Sequence, residues 1–265
     1  MSFHLSFTPT QWAIGMLSAF LIGLAKTGVP GTGILSVPLL ATLFANQPQS
    51  DRLSLGVLLP LLIMGDCFAV SWYRQHTQWN KLRELIASIL FGILLGTVLL
   101  WILGEDKSHK TRMNVLIGGL VLVMLLVHLA RKKWGDKLSL TSKPGMFAVG
   151  TTAGFATTVS NAAGPIMTIY MASTNLNKEQ FMGTTAWYYL IFNLIKLPIY
   201  IFLTINQPDK PIITQTTILF DLAMFPLILV GVYLGKWLLP RIEQQMFDNL
   251  MLILAAIAAI KLAFF

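Results

Sequence analysis

The chain has 265 residues, 55% of them hydrophobic and only 11% charged, against roughly 25% charged in a soluble globular protein; its mean hydropathy is +0.69. Apolar stretches recur along the whole length, which excludes an ordinary soluble domain and makes a bilayer the solvent. The net charge of +8 does not point to nucleic acid, because no basic run is interleaved with the aromatic side chains that stack on single-stranded bases.

Turn residues and charges bound helices near 11–25, 33–45, 53–73, 82–103 and 113–130, and then near 145–159, 164–175, 179–203, 214–238 and 246–265. A spanning helix needs about 20 residues for about 30 Å of hydrocarbon, so little chain remains for a soluble catalytic domain. In each half the first two segments are short. In the first half, 15 and 13 residues reach only about 22 and 20 Å, so neither crosses comfortably alone. Met1–Trp12 has no basic start and no Ala-x-Ala site, so the first apolar segment is expected to be retained.

The halves resemble each other. Gly23-Leu24-Ala25-Lys26-Thr27 and Gly33 register with Gly154-Phe155-Ala156-Thr157-Thr158 and Gly164 at an offset of 131. Gly56 and Asp66 match Gly183 and Asn193 at 127, and Gly92 and Gly96 match Gly231 and Gly235 at 139. An odd number of crossings per half makes the second inverted relative to the first, a transporter architecture. The expected fold is therefore an all-α polytopic membrane protein of about 8–10 transmembrane segments. It forms two inverted repeats, each opening with a broken short-helix pair. Residues 1–130 form the first repeat, 131–143 a basic cytoplasmic linker and 144–265 the second repeat.

That arrangement puts Arg74, Lys81, Arg83, Arg131, Lys132, Lys133, Lys137, Lys143, Lys178, Lys236 and Arg241 on one side, and Arg52, Lys107, Lys110, Arg112, Lys210 and Lys261 on the other. The richer side is cytoplasmic by the positive-inside rule, and both termini are extracytoplasmic.

Two stretches interrupt apolar runs: Lys26-Thr27-Gly28-Val29-Pro30-Gly31-Thr32-Gly33 and Thr157-Thr158-Val159-Ser160-Asn161-Ala162-Ala163-Gly164-Pro165. Pro30 and Pro165 lack N–H donors and the glycines permit non-helical dihedrals, so the helices should break there. Broken backbone at membrane depth is tolerated only where protein buries it or where it lines a watery cavity, which marks both breaks as binding-site candidates. Lys26, Asp66, Lys196 and Asp221 lie within apolar segments; at about 2.5–3.5 kcal/mol each, they must face protein or water.

Lys26 reads as a substrate-facing cation, with a salt bridge to Asp66 as the structural alternative. Asp66 reads as counter-ion or proton carrier. Lys196, just before Pro198, could satisfy a carbonyl freed by the kink, and Asp221 is expected to reach an interface. Helix N-termini near Gly31 and Ala162, together with Lys26, suit a small oxyanion. Thr27, Gly31, Thr32, Thr158, Ser160, Asn161 and Asn193 complete the candidate contacts. A partner of this kind is a small anionic substrate.

The lone Cys67 excludes disulfides and cysteine metal sets, and is expected in the core. No nucleotide-binding motif appears, and no cofactor or catalytic residue is expected. An intramembrane enzyme would need paired carboxylates, a deep Ser–His dyad or a metal triad, for which the histidines are badly placed. A non-transporting assembly subunit is the other alternative. The glycine faces at Gly92/Gly96 and Gly231/Gly235 admit close packing within the chain or in a homodimer.

The residues that carry these signals also resemble the TauE/SafE sulfite exporter family over nearly the full length. The matching stretches are Gly23-Leu24-Ala25-Lys26-Thr27-Gly28-Val29-Pro30-Gly31 with Val37-Pro38-Leu39, Asn161-Ala162-Ala163-Gly164-Pro165, and Gly183-Thr184-Thr185-Ala186-Trp187. The resemblance implies a polytopic permease for small sulfur-containing or organic anions such as sulfite, sulfonates or sulfoacetate. It also implies the plasma membrane of a prokaryote. In place of a second glycine-rich turn this chain has Ser160-Asn161-Ala162-Ala163.

Overall fold

The computed structural model describes residues 7–44, 50–103, 119, 122, 123, 125, 126 and 140–264. Among them the regular structure is helical, with no strand. Helix α1, Pro9–Thr27, starts at a capping box in which Thr8 and Gln11 satisfy each other's backbone N–H groups, with Pro9 in the first turn. A 3₁₀ turn, Thr32–Leu35, leads into α2, Ser36–Leu43. Helix α3 is Ser50–Tyr73. The single helix expected over 82–103 is two, α4 at Trp79–Arg83 and α5 at Ile86–Leu103, divided at Glu84 and Leu85. The segment expected at 113–130, and most of the basic linker at 131–143, lie outside the described residues.

Helix α6, Lys143–Ser160, is capped by Ser142, whose hydroxyl oxygen accepts from the Gly145 N–H. Helices α7, Ala163–Ala172, and α8, Lys178–Asn206, follow. Helix α9, Gln215–Leu238, opens on a Thr214/Thr217 capping box, and α10 is Gln244–Phe264. Among the described residues, three helical stretches are long and apolar enough to cross a membrane: Arg52–His76, Lys178–Asn206 and Gln215–Arg241. Helices α2 and α7 have 8 and 10 residues, about 12 and 15 Å, too short to cross.

The chain forms two compact units, and neither is a half of the sequence. Unit one is 1–71 with 189–240, so α1, α2 and most of α3 pack with the later part of α8 and α9. Unit two is 72–188 with 241–265 and holds α4 to α7, the start of α8 and α10. Sequence likeness and packing thus divide the chain differently, because each unit draws helices from both halves.

Each unit has one close helix–helix seam built on glycine. In unit one α1 runs along α9, where a Cβ on Gly23 would strike the Ile228 and Val232 backbone. In unit two α5 runs along α6, where a Cβ on Gly154 would strike the Ile89 and Ile93 backbone. The contacts correspond atom for atom: 154 − 23 is 131, while 228 − 89 and 232 − 93 are both 139. Gly231 meets Phe20 and Leu24 as Gly92 meets Thr151 and Phe155, at the same two offsets. Gly56 meets Ile212 in unit one and Gly183 meets Tyr73 in unit two, at 127 and 139. Small residues at such seams let backbones approach, which is how helices gain contact where lipid competes for every apolar side chain.

The glycine faces considered for a homodimer are therefore filled within the chain. The outer surface is apolar, with Leu94, Ile102, Ile205, Leu222 and Ile253 exposed. Cys67 is also exposed, correcting its expected core position. A small apolar thiol costs little to expose on a helix face.

Candidate functional site

The site is built where α1 stops. The backbone turns off at Gly28, Pro30 has no N–H to continue the helix, and Gly31 takes φ of 98°, a left-handed conformation that a side chain would strain. The break leaves Lys26 in the last turn of α1. Its ammonium Nζ lies 2.7 Å from Oδ1 of Asp66 on α3. The other carboxylate oxygen, Oδ2, accepts a 2.7 Å hydrogen bond from Nδ2 of Asn193 on α8. Nζ also stands 4.0 Å above the Tyr189 ring, a cation–π arrangement. Gly65 leaves room for the lysine stem, since a Cβ there would come within 2.9 Å of Lys26 Cγ.

Asp66 is 0% exposed and the Lys26 side chain 9%; Lys196 is 0% exposed and within electrostatic reach of both. All five residues belong to unit one, and they come from both halves of the sequence. Asp66 and Asn193, matched at an offset of 127, are bonded to each other. Their depth is central: Asp66 is the fifteenth residue of the 25-residue span Arg52–His76 (66 − 52 + 1), and Asn193 the sixteenth of the 29-residue span Lys178–Asn206 (193 − 178 + 1). Buried charges are tolerable only when compensated, and here Oδ1 of Asp66 is ion-paired with Lys26 while Oδ2 accepts from Asn193.

The salt bridge set out as the alternative for Lys26 is thus present. The other candidates divide. Thr27 donates its hydroxyl to Val232 O at 2.7 Å and so tightens the α1–α9 seam. Thr32 donates to Val29 O at 3.0 Å inside the break. In unit two, Thr158 donates to Gly154 O at 2.9 Å and Ser160 to Ala156 O at 3.2 Å. Asn161 ends α6 in the left-handed conformation, φ 51°, a place asparagine tolerates better than most side chains. Pro165 does not make this break. It sits in the first turn of α7, where no intrahelical N–H is needed, and Asn161 with Ala162 does the turning. Helix α7 begins without a side-chain cap, so its first-turn N–H groups remain donors.

Asp221, expected to reach an interface, is 1% exposed within the protein, and neither carboxylate oxygen has a hydrogen-bond partner among the described residues. Tyr189 was missed, although a signal existed. Tyr189, Asn193 and Lys196 fall at i, i+4 and i+7, one face of a helix. Among the described residues no group of three or more His, Cys, Asp or Glu side chains could hold a metal ion.

The family described as Sulfite exporter TauE/SafE matches residues 14–262. The chain belongs to the TauE/SafE sulfite exporter family. Neither the curated proteins nor the solved structures compared with it include a match. As a member of a transporter family, this TauE/SafE chain is a membrane transporter of the sulfite exporter or permease type, and its long apolar helices agree with that. A transporter family is also consistent with the expectation that the chain is not an enzyme.

Proposed function

We propose that this protein is a secondary transporter of small sulfur-containing or organic anions such as sulfite, sulfonates or sulfoacetate, and that Lys26 is the cation its substrate meets. The observation that carries this reading is the placement of Lys26, Asp66 and Asn193 at mid-depth of long apolar helices, joined by two 2.7 Å contacts. Residues at that depth are costly and serve substrate or ion pathways. Lys196 lies buried within electrostatic reach of Lys26 and Asp66. Gly31 shapes the break, and Thr27, Thr32, Thr158, Ser160 and Asn161 are further proposed contacts. Four of these five hydroxyl or amide side chains already donate to backbone carbonyls through their hydroxyls, so as substrate donors they would first release those bonds.

Transport proceeds by alternating access of two inverted repeats. The recurrence of the glycine contacts at fixed offsets supports duplication, and the odd number of crossings expected per half supports inversion. The protein sits in the plasma membrane with both termini outside, from the lysine and arginine distribution of its loops. Reconstituted vesicles should move sulfite down its gradient with the native chain and not with Lys26→Ala. Sulfite flux unchanged by that substitution would remove Lys26 from the pathway.

A further inference from the structure

We propose that the Asp66 carboxylate is a tethered stand-in for the transported anion: it occupies Lys26 in the unloaded site, and the substrate takes its place there. The inference rests on the reading of Lys26 as the anion contact and assigns Asp66 the role of an internal competitor that sets selectivity.

The geometry suits such an exchange. Asp66 uses its two oxygens for different partners, Oδ1 for Lys26 and Oδ2 for Asn193. Losing Lys26 therefore does not set the carboxylate adrift, because Asn193 retains Oδ2. The freed Oδ1 stays within the field of Lys196, three residues along the same helix from Asn193. On the lysine side, the Tyr189 face holds the ammonium from beneath, 4.0 Å from Nζ, and does not compete for its hydrogen-bond donors. The titratable groups facing Asp66 from the packed helices are Lys26 on α1 and Tyr189 and Lys196 on α8.

The unloaded carrier explains why a competitor is present at all. A buried ammonium without a counter-ion is strongly unfavourable, so a site that released its anion and kept a bare Lys26 would trap the carrier in its loaded form. Asp66 supplies the missing charge on the empty return. The same competition filters substrates. A simple monocarboxylate offers Lys26 the chemical group it already has and gives up nothing to dislodge it. An oxyanion with three oxygens on sulfur presents more acceptors to the ammonium, and to the donors around the break, than the resident carboxylate does.

Thermal unfolding of the detergent-purified protein with sulfite or acetate tests this in the native chain, Asp66→Asn and Lys26→Ala. The native protein should be stabilised by sulfite and be indifferent to acetate. Asp66→Asn should unfold earlier without anion, bind sulfite about tenfold more tightly, and become responsive to acetate. Lys26→Ala should respond to neither. Loss of the sulfite response in a folded Asp66→Asn protein, or native affinity with continued indifference to acetate, would overturn the competitor role. Equal sulfite shifts in all three proteins would instead defeat the reading of Lys26 itself. If Asp66→Asn does not survive extraction in anion-free buffer, extraction in sulfite or acetate decides: recovery with either supports the exchange, and failure with both overturns it.

Discussion

The two breaks share their framework and differ in their chemistry. In unit one the chain leaves α1 at Gly28, turns through the left-handed Gly31 and winds a 3₁₀ turn before α2. In unit two it leaves α6 at the left-handed Asn161 and enters α7 two residues later. Thr27 and Thr158 occupy matching places and both bond back to the glycine four residues earlier, Gly23 at 3.2 Å and Gly154 at 2.9 Å. Yet the residue before each threonine is Lys26 in one unit and Thr157 in the other. Where two copies of a seam must bring backbones into contact, sterics keep them alike; the lysine, which meets Asp66 and Tyr189 rather than the seam, is present in one copy and a threonine in the other.

The sharpest way to test that contrast is to cut the charged break and its uncharged counterpart. Asp66→Ala strands Lys26 without its counter-ion and should cost about 3–5 kcal/mol, whereas Thr157→Ala should cost less than about 1 kcal/mol. Thermal and denaturant unfolding in detergent measure both, and equal losses would mean that the ion pair does not distinguish the two breaks. The shared seam makes the opposite forecast. Gly23→Ala and Gly154→Ala each push a methyl into facing backbone, and should lower stability by similar amounts, about 1–3 kcal/mol. A loss confined to one of them would show that the corresponding contacts are not energetically equivalent.

Smaller effects are expected at the turns. Gly31→Ala forces a side chain into φ 98° and should cost about 1–2 kcal/mol, and Asn161→Ala about half as much, since asparagine already bears part of that strain. Asn161→Gly should leave unfolding unchanged, which separates backbone strain from loss of the amide. The smallest change is expected within unit one, at its other buried acid. Asp221→Asn removes a carboxylate whose oxygens have no hydrogen-bond partner, so stability should shift by under about 1 kcal/mol, in contrast to Asp66→Ala. A loss as large as that of Asp66→Ala would show that Asp221 is held by a charge of its own.

Much of the helical outline was readable because bilayer helices announce themselves by composition. The helices expected near 11–25, 145–159 and 214–238 are Pro9–Thr27, Lys143–Ser160 and Gln215–Leu238, each found from turn residues and apolar length to within about two residues. The division of α4 from α5 was not readable, because Glu84 and Leu85 are neither glycine nor proline and either could have continued a helix. Lys26, Asp66, Asn193 and Lys196 were visible as polar residues that lipid cannot solvate. The Lys26–Asp66 pair was legible as one of two readings; the Asp66–Asn193 bond was not, because the two residues are 127 apart in the chain and no local pattern encodes a contact at that separation.

Three things were settled by the sequence alone. They are the bilayer as solvent, the duplicated spacing of glycines, and the placement of the charges within apolar segments, since hydropathy, repetition and helical rise are properties of one strand of chain. Only the tertiary structure decided that Lys26 is held by Asp66, that Asn193 holds the other oxygen, that the threonine and serine hydroxyls donate to backbone carbonyls, and that Cys67 is exposed while Asp221 is buried. Each of these depends on which face of one helix meets another. That choice is made by close packing at the glycine seams and by the need to pair buried charge, and neither acts until the helices are together.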